Sequence, residues 1–306
     1  MDLPLVHDTD RTVMAAEAPP RLPGQARGVD ADLRRHDAGG SPADARVQRA
    51  AGLWPGACLG LVIPLAGAVA WELAVRHGLA SGRLMPPPSR LAQTAAVLAR
   101  SGELQTHMLA TMGRVGLGFA IGAAAGTALG MLNGASRMAL RLLDPSVQAL
   151  RAIPSIAWVP LFILWLGIFE TSKLALIALG VFFPVYLGLL TAIQSVDRKL
   201  IEVGRVFGLS RIEIALLVTW PAVMPAWIAA LRTGLGLGFM FVVAAELMGA
   251  SEGLGYLLLD GEQMGRADEI LVAMFVFAVL GKAADSVLVS AARPVLRWQD
   301  THRLRL

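Results

Sequence analysis

Four stretches of this sequence run far enough without a charged residue to leave the chain little choice of environment. Ala50–Trp71 and Val115–Ser136 hold 22 uncharged residues each, Ala152–Phe169 holds 18 and Leu174–Val196 holds 23. At about 1.5 Å rise per residue, about 20 residues cross a hydrocarbon core roughly 30 Å thick. Two further stretches are apolar except at two positions each: Pro221–Gly249 with Arg232 and Glu246, and Ile270–Ala292 with Lys282 and Asp285. Charges in a spanning helix are costly and must face protein or water. Six spans follow, and with them an all-α polytopic membrane protein. Pro55, Pro64, Pro154, Pro160 and Pro184 lie inside these runs, where a membrane helix tolerates them better than a soluble one. Composition agrees: 55% of residues are hydrophobic and 16% charged, against about 25% charged in a soluble domain. A disordered protein, a disulfide scaffold and an ordinary cytosolic enzyme are excluded. The single cysteine, Cys58, has no partner for an intrachain bridge.

A net charge of +4 does not point to nucleic acid, because no basic block of five occurs and aromatics do not interleave with the basic residues. Residues 1–49 carry seven arginines and eight acids without an apolar run, which predicts a disordered cytoplasmic tail rather than a signal peptide. The rest divides into 50–108, a first span with an outer linker; 109–292, the main transmembrane domain; and 293–306, a second cytoplasmic tail. Lys and Arg cluster between spans, the pattern that sets orientation. With the tail inside, inner loops hold Arg137 and Arg141, then Arg198, Lys199, Arg205 and Arg211, then Arg293, Arg297, Arg303 and Arg305. The outer loop 250–269 has only Arg266 against five acids, whereas the outer connection 73–109 breaks the rule with four arginines. Both termini are therefore expected in the cytoplasm.

In that outer connection, Pro86-Pro87-Pro88 predicts an extended link. Ser89 then stands as an N-cap before Leu91, Ala95 and Leu98 on one helix face. Such a helix lies either on the membrane surface or in solvent. In the second span Gly118, Gly122, Gly126, Gly130 and Gly134 recur every four residues. That spacing makes one face a groove without side chains, suited to close packing of a neighbouring helix. Gly234, Gly236 and Gly238 are spaced by two and suggest flexibility or close approach in the fifth span.

The connection 197–221 is the most informative. Asp197 can cap a helix over Arg198–Phe207, and Gly208 can stop it in the left-handed conformation. Ser210 and Glu213 have capping-box spacing, so a second helix starts at Arg211 and runs towards the membrane at Pro221. The segment Glu202-Val203-Gly204-Arg205-Val206-Phe207-Gly208, continuing to Val218-Thr219-Trp220-Pro221, resembles the EAA loop of ABC importer permeases. Glu202, Gly208, Val218 and Pro221 match the motif's acidic, glycine, isoleucine and proline positions; Val203, Gly204 and Trp220 depart from it. Met85–Ser89, Leu142–Pro145, Arg151–Pro154, Ala244–Glu246, Gly253–Tyr256 and Leu280–Asp285 resemble the aliphatic sulfonate, taurine and nitrate branch, over roughly residues 52–300. Leu161–Gly167 and Gly281–Asp285 bring it nearest to the aliphatic sulfonate permeases.

The resemblance implies a type I importer permease fold in a bacterial inner membrane. It also implies cytoplasmic ATPase subunits, a periplasmic binding protein, and a second permease copy. It assigns the coupling loop to Glu202, Gly208, Leu209, Ser210 and Pro221, with Glu202 pairing a basic group on the ATPase. No cofactor, catalytic residue or metal site is expected. Gly281-Lys282 lacks the rest of a Walker A motif, so a separate chain must hydrolyse ATP. Gly249-Ala250-Ser251-Glu252-Gly253 fits a nucleophile elbow in letters, but a membrane helix precedes it where a strand is needed. An intramembrane serine protease and an ATP-independent secondary transporter are the rivals; the second would favour inverted repeats, which the hydropathy pattern lacks. Arg232 and Lys282 fall about 16 Å and 18 Å into their spans, with Asp285 one turn beyond Lys282. If those spans are neighbours, the three form either an anion path or packing glue in which Asp285 neutralises both cations.

Overall fold

The computed structural model describes residues 56–79 and 81–296. The tail 1–49, the start of the first span and residues 297–306 lie outside the described residues. Among those described there is no strand. The chain divides at Gly67/Ala68 into two units. Of the first, the described part is the opening of helix α1 (Gly56–Arg76). Everything below concerns the second.

There the order is α2 (Pro88–Ser101), α3 (Glu103–Ala135), α4 (Arg137–Ala152), a 3₁₀ turn (Ser155–Ala157), α5 (Trp158–Leu166), α6 (Glu170–Gln194) and α7 (Arg198–Val206). A helical turn (Arg211–Glu213) and a π-helix (Ile214–Thr219) then lead without a break into α8 (Trp220–Leu247). Helices α9 (Leu254–Gln263) and α10 (Ala267–Ala292) complete it. Among the described residues four helical segments are long and apolar enough to cross a membrane, α3, α6, the continuous Ile214–Leu247 and α10, and α4 with Ser155–Leu166 passes the same test as a bent pair.

Helix α6 is the centre. It is apolar around its whole circumference, as a helix must be when neighbours surround it. Ile177, Val181, Val185, Tyr186 and Leu189 are all fully buried. On one side α3 turns its five four-spaced glycines to it. A Cβ at Gly118 would stand 2.5 Å from Ile177 Cγ2, one at Gly126 2.7 Å from the Phe182 carbonyl, and one at Gly134 2.5 Å from Ile193 Cδ1. Gly122 faces the Ala178 carbonyl and Gly130 that of Tyr186. On the other side, Gly180 and Gly188 of α6 receive Phe241 and Ala230 of α8. Gly234 and Gly238 of α8 close on Val185 and Val181, while Gly236 faces open space. Backbone thus approaches backbone along the α3 flank, while on the α8 flank glycine notches receive side chains, and dispersion rather than water exclusion holds the seams.

Three sequence expectations are corrected. The third span, Ala152–Phe169, is not one helix. Pro154 drives Ile153 into an extended conformation (ψ 123°), so α4 ends at Ala152. The chain resumes at 86° to α4, and Gly167 at φ 76° ends α5 after nine residues. Second, Ser89 does not cap α2. Pro87 holds the N-cap position and Pro88 the first turn, whose missing N–H costs nothing there. The Ser89 hydroxyl instead donates to Glu72 at 2.8 Å, and its N–H donates to the same carboxylate at 3.0 Å. Third, the apolar face of α2 meets protein, not lipid or solvent. Leu91 and Leu98 are buried with Leu254, Leu257, Val272 and Ala273 of α9 and α10, and Thr94 donates to Asp268 at 2.8 Å.

Candidate functional site

Two ends of the helical bundle carry polar architecture, and a third cluster lies between them. At one end is the loop joining α6 to α8. The Asp197 carboxylate accepts from the Lys199 N–H at 2.9 Å and starts α7. Gly208, at φ 76°, ends it. The Leu209 N–H returns to the Gly204 carbonyl at 3.1 Å, a helix-terminating bond. Ser210 and Glu213 then form a reciprocal box: the Ser210 N–H donates to the Glu213 carboxylate at 2.7 Å, and the Glu213 N–H donates to the Ser210 hydroxyl at 3.3 Å. The backbone donor of Ser210 holds the Glu213 carboxyl below its ordinary range.

Gly204, which replaces an alanine of the motif, is buried, and a Cβ there would lie 3.2 Å from Ile214 Cγ1. The glycine lets α7 fold down tightly onto the π-helix. Glu202 is exposed. Beside it Val203, Val206 and Phe207 present apolar side chains outward, Phe207 at 79% exposure. Pro221 sits in the first turn of α8, partly buried. A cleft of about 1070 Å³ lies between this loop and the α3–α4 corner, lined by Ser136, Arg137, Ile201, Arg205, Leu209 and Ser210.

At the opposite end a partly buried ion network ties α3, α6 and α8 together. Arg114 donates through Nε and Nη2 to Glu170 (2.7 and 2.9 Å), and through Nη1 to Glu246 (2.8 Å) and the Glu252 carbonyl (2.6 Å). Lys173 Nζ lies 2.8 Å from Glu170. Glu246 is 0% exposed, accepts from Thr111 at 2.9 Å and from the Gly255 N–H at 2.8 Å, and so fixes the turn before α9. In that turn the Gly253 N–H donates to His107 Nδ1 at 3.1 Å. This network was not singled out from sequence. Its signal was present in charges that interrupt or flank three apolar runs, but nothing local pairs residues 56 and 132 positions apart.

The third cluster joins α8 to α10 near mid-span. Arg232 grips Asp285 through two bonds, Nε to Oδ1 at 2.7 Å and Nη2 to Oδ2 at 3.0 Å, and Lys282 Nζ stands 3.8 Å from Oδ2. The structure therefore brings Arg232, Lys282 and Asp285 together. No group of three metal-ligating side chains occurs among the described residues. Ser251 lies on an exposed turn, and His107 Nδ1 accepts from the Gly253 N–H.

Residues 118–295 match the family of binding-protein-dependent transport system inner membrane components. This chain belongs to that family. The permease is 38% identical over 243 residues to the aliphatic sulfonates transport permease SsuC of Bacillus subtilis, covering 79% of this chain and 88% of that one. It is 37% identical to SsuC of Escherichia coli, over 79% and 92%. The taurine transport system permease TauC of Escherichia coli is 30% identical over 74% and 84%. All are transport components rather than enzymes, which disposes of the protease rival.

Proposed function

We propose that this permease imports a small anion across the inner membrane, driven by ATP that separate cytoplasmic subunits hydrolyse. An aliphatic sulfonate is the preferred cargo, with taurine or nitrate as alternatives, delivered by a periplasmic binding protein. Two copies pair, and alternating access moves the anion along a path between them. Both termini face the cytoplasm, which puts the 197–221 loop on the ATPase side and the Arg114 network on the outer side.

The observation that carries this is the loop. It is stiffened at both limbs by caps and turned sharply at Gly208, and it leaves Val203, Val206 and Phe207 uncovered beside Glu202. Exposed apolar side chains on a rigid element are the anatomy of an interface awaiting its partner. Glu202 supplies a carboxylate for a basic group on the ATPase, Gly208 the turn, Leu209 and Ser210 the restart of the helix, and Pro221 its seat at the membrane. Because the box opens a helix that continues through the π-helix to Leu247, motion of the loop reaches the spans without a flexible joint.

The test exchanges Glu202→Lys or Gly208→Asp and measures uptake and co-purification of the ATPase. Both should fall while permease yield holds; unchanged uptake in an intact complex refutes the assignment. Uptake that resists vanadate would restore the secondary-transporter alternative.

A further inference from the structure

The cluster near mid-span does not balance. Arg232 already takes both oxygens of Asp285. Lys282, at 3.8 Å, is beyond hydrogen-bonding range, and its side chain is 78% exposed. One cation is neutralised and the other is surplus.

Among the described residues no acid other than Asp285 lies within ion-pair distance of Lys282, and Asp144 of α4 is taken by the Tyr186 hydroxyl. The acids of α3, α6 and α8 are Glu103, Glu170 and Glu246, and those of α10 besides Asp285 are Asp268 and Glu269. All stand in the first or last turn of their helix. A second copy of the chain brings a second Asp285, but also a second Arg232 and a second Lys282, so pairing doubles the surplus instead of removing it.

Escape along the side chain is also closed. Lys282 lies ten residues from Ala292 and fifteen from Ala267, roughly 15 and 22 Å along the helix. Helical side chains tilt towards the N-terminus, so this lysine leans the longer way, and its four-carbon stem cannot carry the ammonium to an interface. A lipid-facing lysine at this depth would cost about 2.5–3.5 kcal/mol on insertion scales. The side chain must therefore face water.

We propose that Lys282 contacts the transported anion in a water-filled path, while Asp285 holds Arg232 as its positioned neighbour. This rests on the anion-importer reading above and adds to it a named contact and a division of labour. Asp285 is glue for one cation only. The free ammonium offers three donors to an oxyanion such as a sulfonate and, as a point charge, accommodates several oxyanion shapes.

The experiment uses the full chain with its ATPase and binding protein, in a Cys58→Ser background. Uptake is measured with whichever of ethanesulfonate, taurine or nitrate the parent imports fastest. Lys282→Gln should reduce uptake tenfold or more at unchanged complex yield, and Lys282→Arg should retain most of it. Lys282→Cys should be inactive, should react with aminoethyl methanethiosulfonate from the aqueous phase, and should regain uptake when the reagent rebuilds the ammonium. Methyl methanethiosulfonate, which adds no charge, should not rescue it, and excess anion should slow the modification. Uptake within twofold of the parent in Lys282→Gln overturns the proposal. So does a cysteine that the charged reagent cannot reach, or loss of the complex in every variant including Lys282→Arg. Each of these results would leave vanadate-sensitive uptake by the parent untouched, so failure here is distinct from failure of the importer assignment.

Discussion

Substituting Gly126 by alanine adds one methyl group at a point where the neighbouring helix offers backbone atoms and a β-carbon fixed to its backbone. The new Cβ would lie 2.7 Å from the Phe182 carbonyl oxygen, 3.1 Å from the Tyr186 nitrogen and 3.1 Å from Val185 Cβ. None of these can rotate aside as a side-chain tip could. Restoring ordinary contact of about 3.4 Å or more means moving α3 and α6 apart by something over half an ångström. A gap of 0.5–1 Å forfeits about a quarter to a half of each dispersion well along the seam, and overpacking of this kind costs about 1–3 kcal/mol. Gly116, on the same helix, is the internal control, because a Cβ there meets nothing within 4 Å. Gly116→Ala should be neutral or slightly stabilising, since alanine is the better helix former by up to about 1 kcal/mol. Thermal unfolding of the detergent-purified permease should fall for Gly126→Ala by several degrees, at about 2–4 °C per kcal/mol for a chain of this size, and hold for Gly116→Ala. Equal midpoints for the two variants would refute the backbone-contact account of the glycine face.

Arg114→Met strands the fully buried Glu246 without its ion partner and should cost about 3–5 kcal/mol, read as lost folded yield. Adding Glu246→Gln in that background should recover part of it. Gly208→Ala forces a side chain into left-handed backbone at about 1–2 kcal/mol, with no steric term because nothing lies within 4 Å; Gly208→Asn should be milder in the same unfolding assay. The Glu213 carboxyl is held below its ordinary value of 4.5 by the Ser210 N–H, so the unfolded chain binds its proton first. The capping box thus stabilises the loop fully above that ordinary value and loses its effect as pH falls through the lowered one. Hydrogen-exchange protection at Ser210 should drop on acidification, and Glu213→Gln should flatten the profile.

What the sequence discloses follows the range over which each interaction acts. Caps are written within three or four residues, so Asp197 before Lys199 and Ser210 before Glu213 are legible as letters. A groove of glycines is legible because helical period alone puts every fourth residue on one face. The α4–α5 bend is not legible because hydropathy is blind to direction: Ala152–Phe169 is apolar enough to span, yet the chain breaks at Pro154 and Ser155–Leu166 stands at 86° to α4. Ser89 has the local spacing of a cap, yet its hydroxyl serves Glu72, 17 positions away. The Arg114 network lay further out of reach, since a charge beside an apolar run looks like a flank until another helix supplies its counter-ion. The partners of Arg232 were readable in part, because depth along two helices can be counted, but the surplus on Lys282 needed the geometry of the Arg232–Asp285 grip.

The six-residue π-helix between the loop and α8 fixes more than a connection. A π turn holds one residue more than the α turn it replaces, so it works as an indexing step between two helical screws. It sets which face of α8 stands above which face of the loop. Were the same six residues of Ile214–Thr219 to wind as α-helix instead, the loop would turn by about 100° against Arg232 and the α10 face, whereas deleting one of them would close the step with the phase nearly kept. The phase between the two ends of this 34-residue rod is therefore a property separate from the integrity of either end.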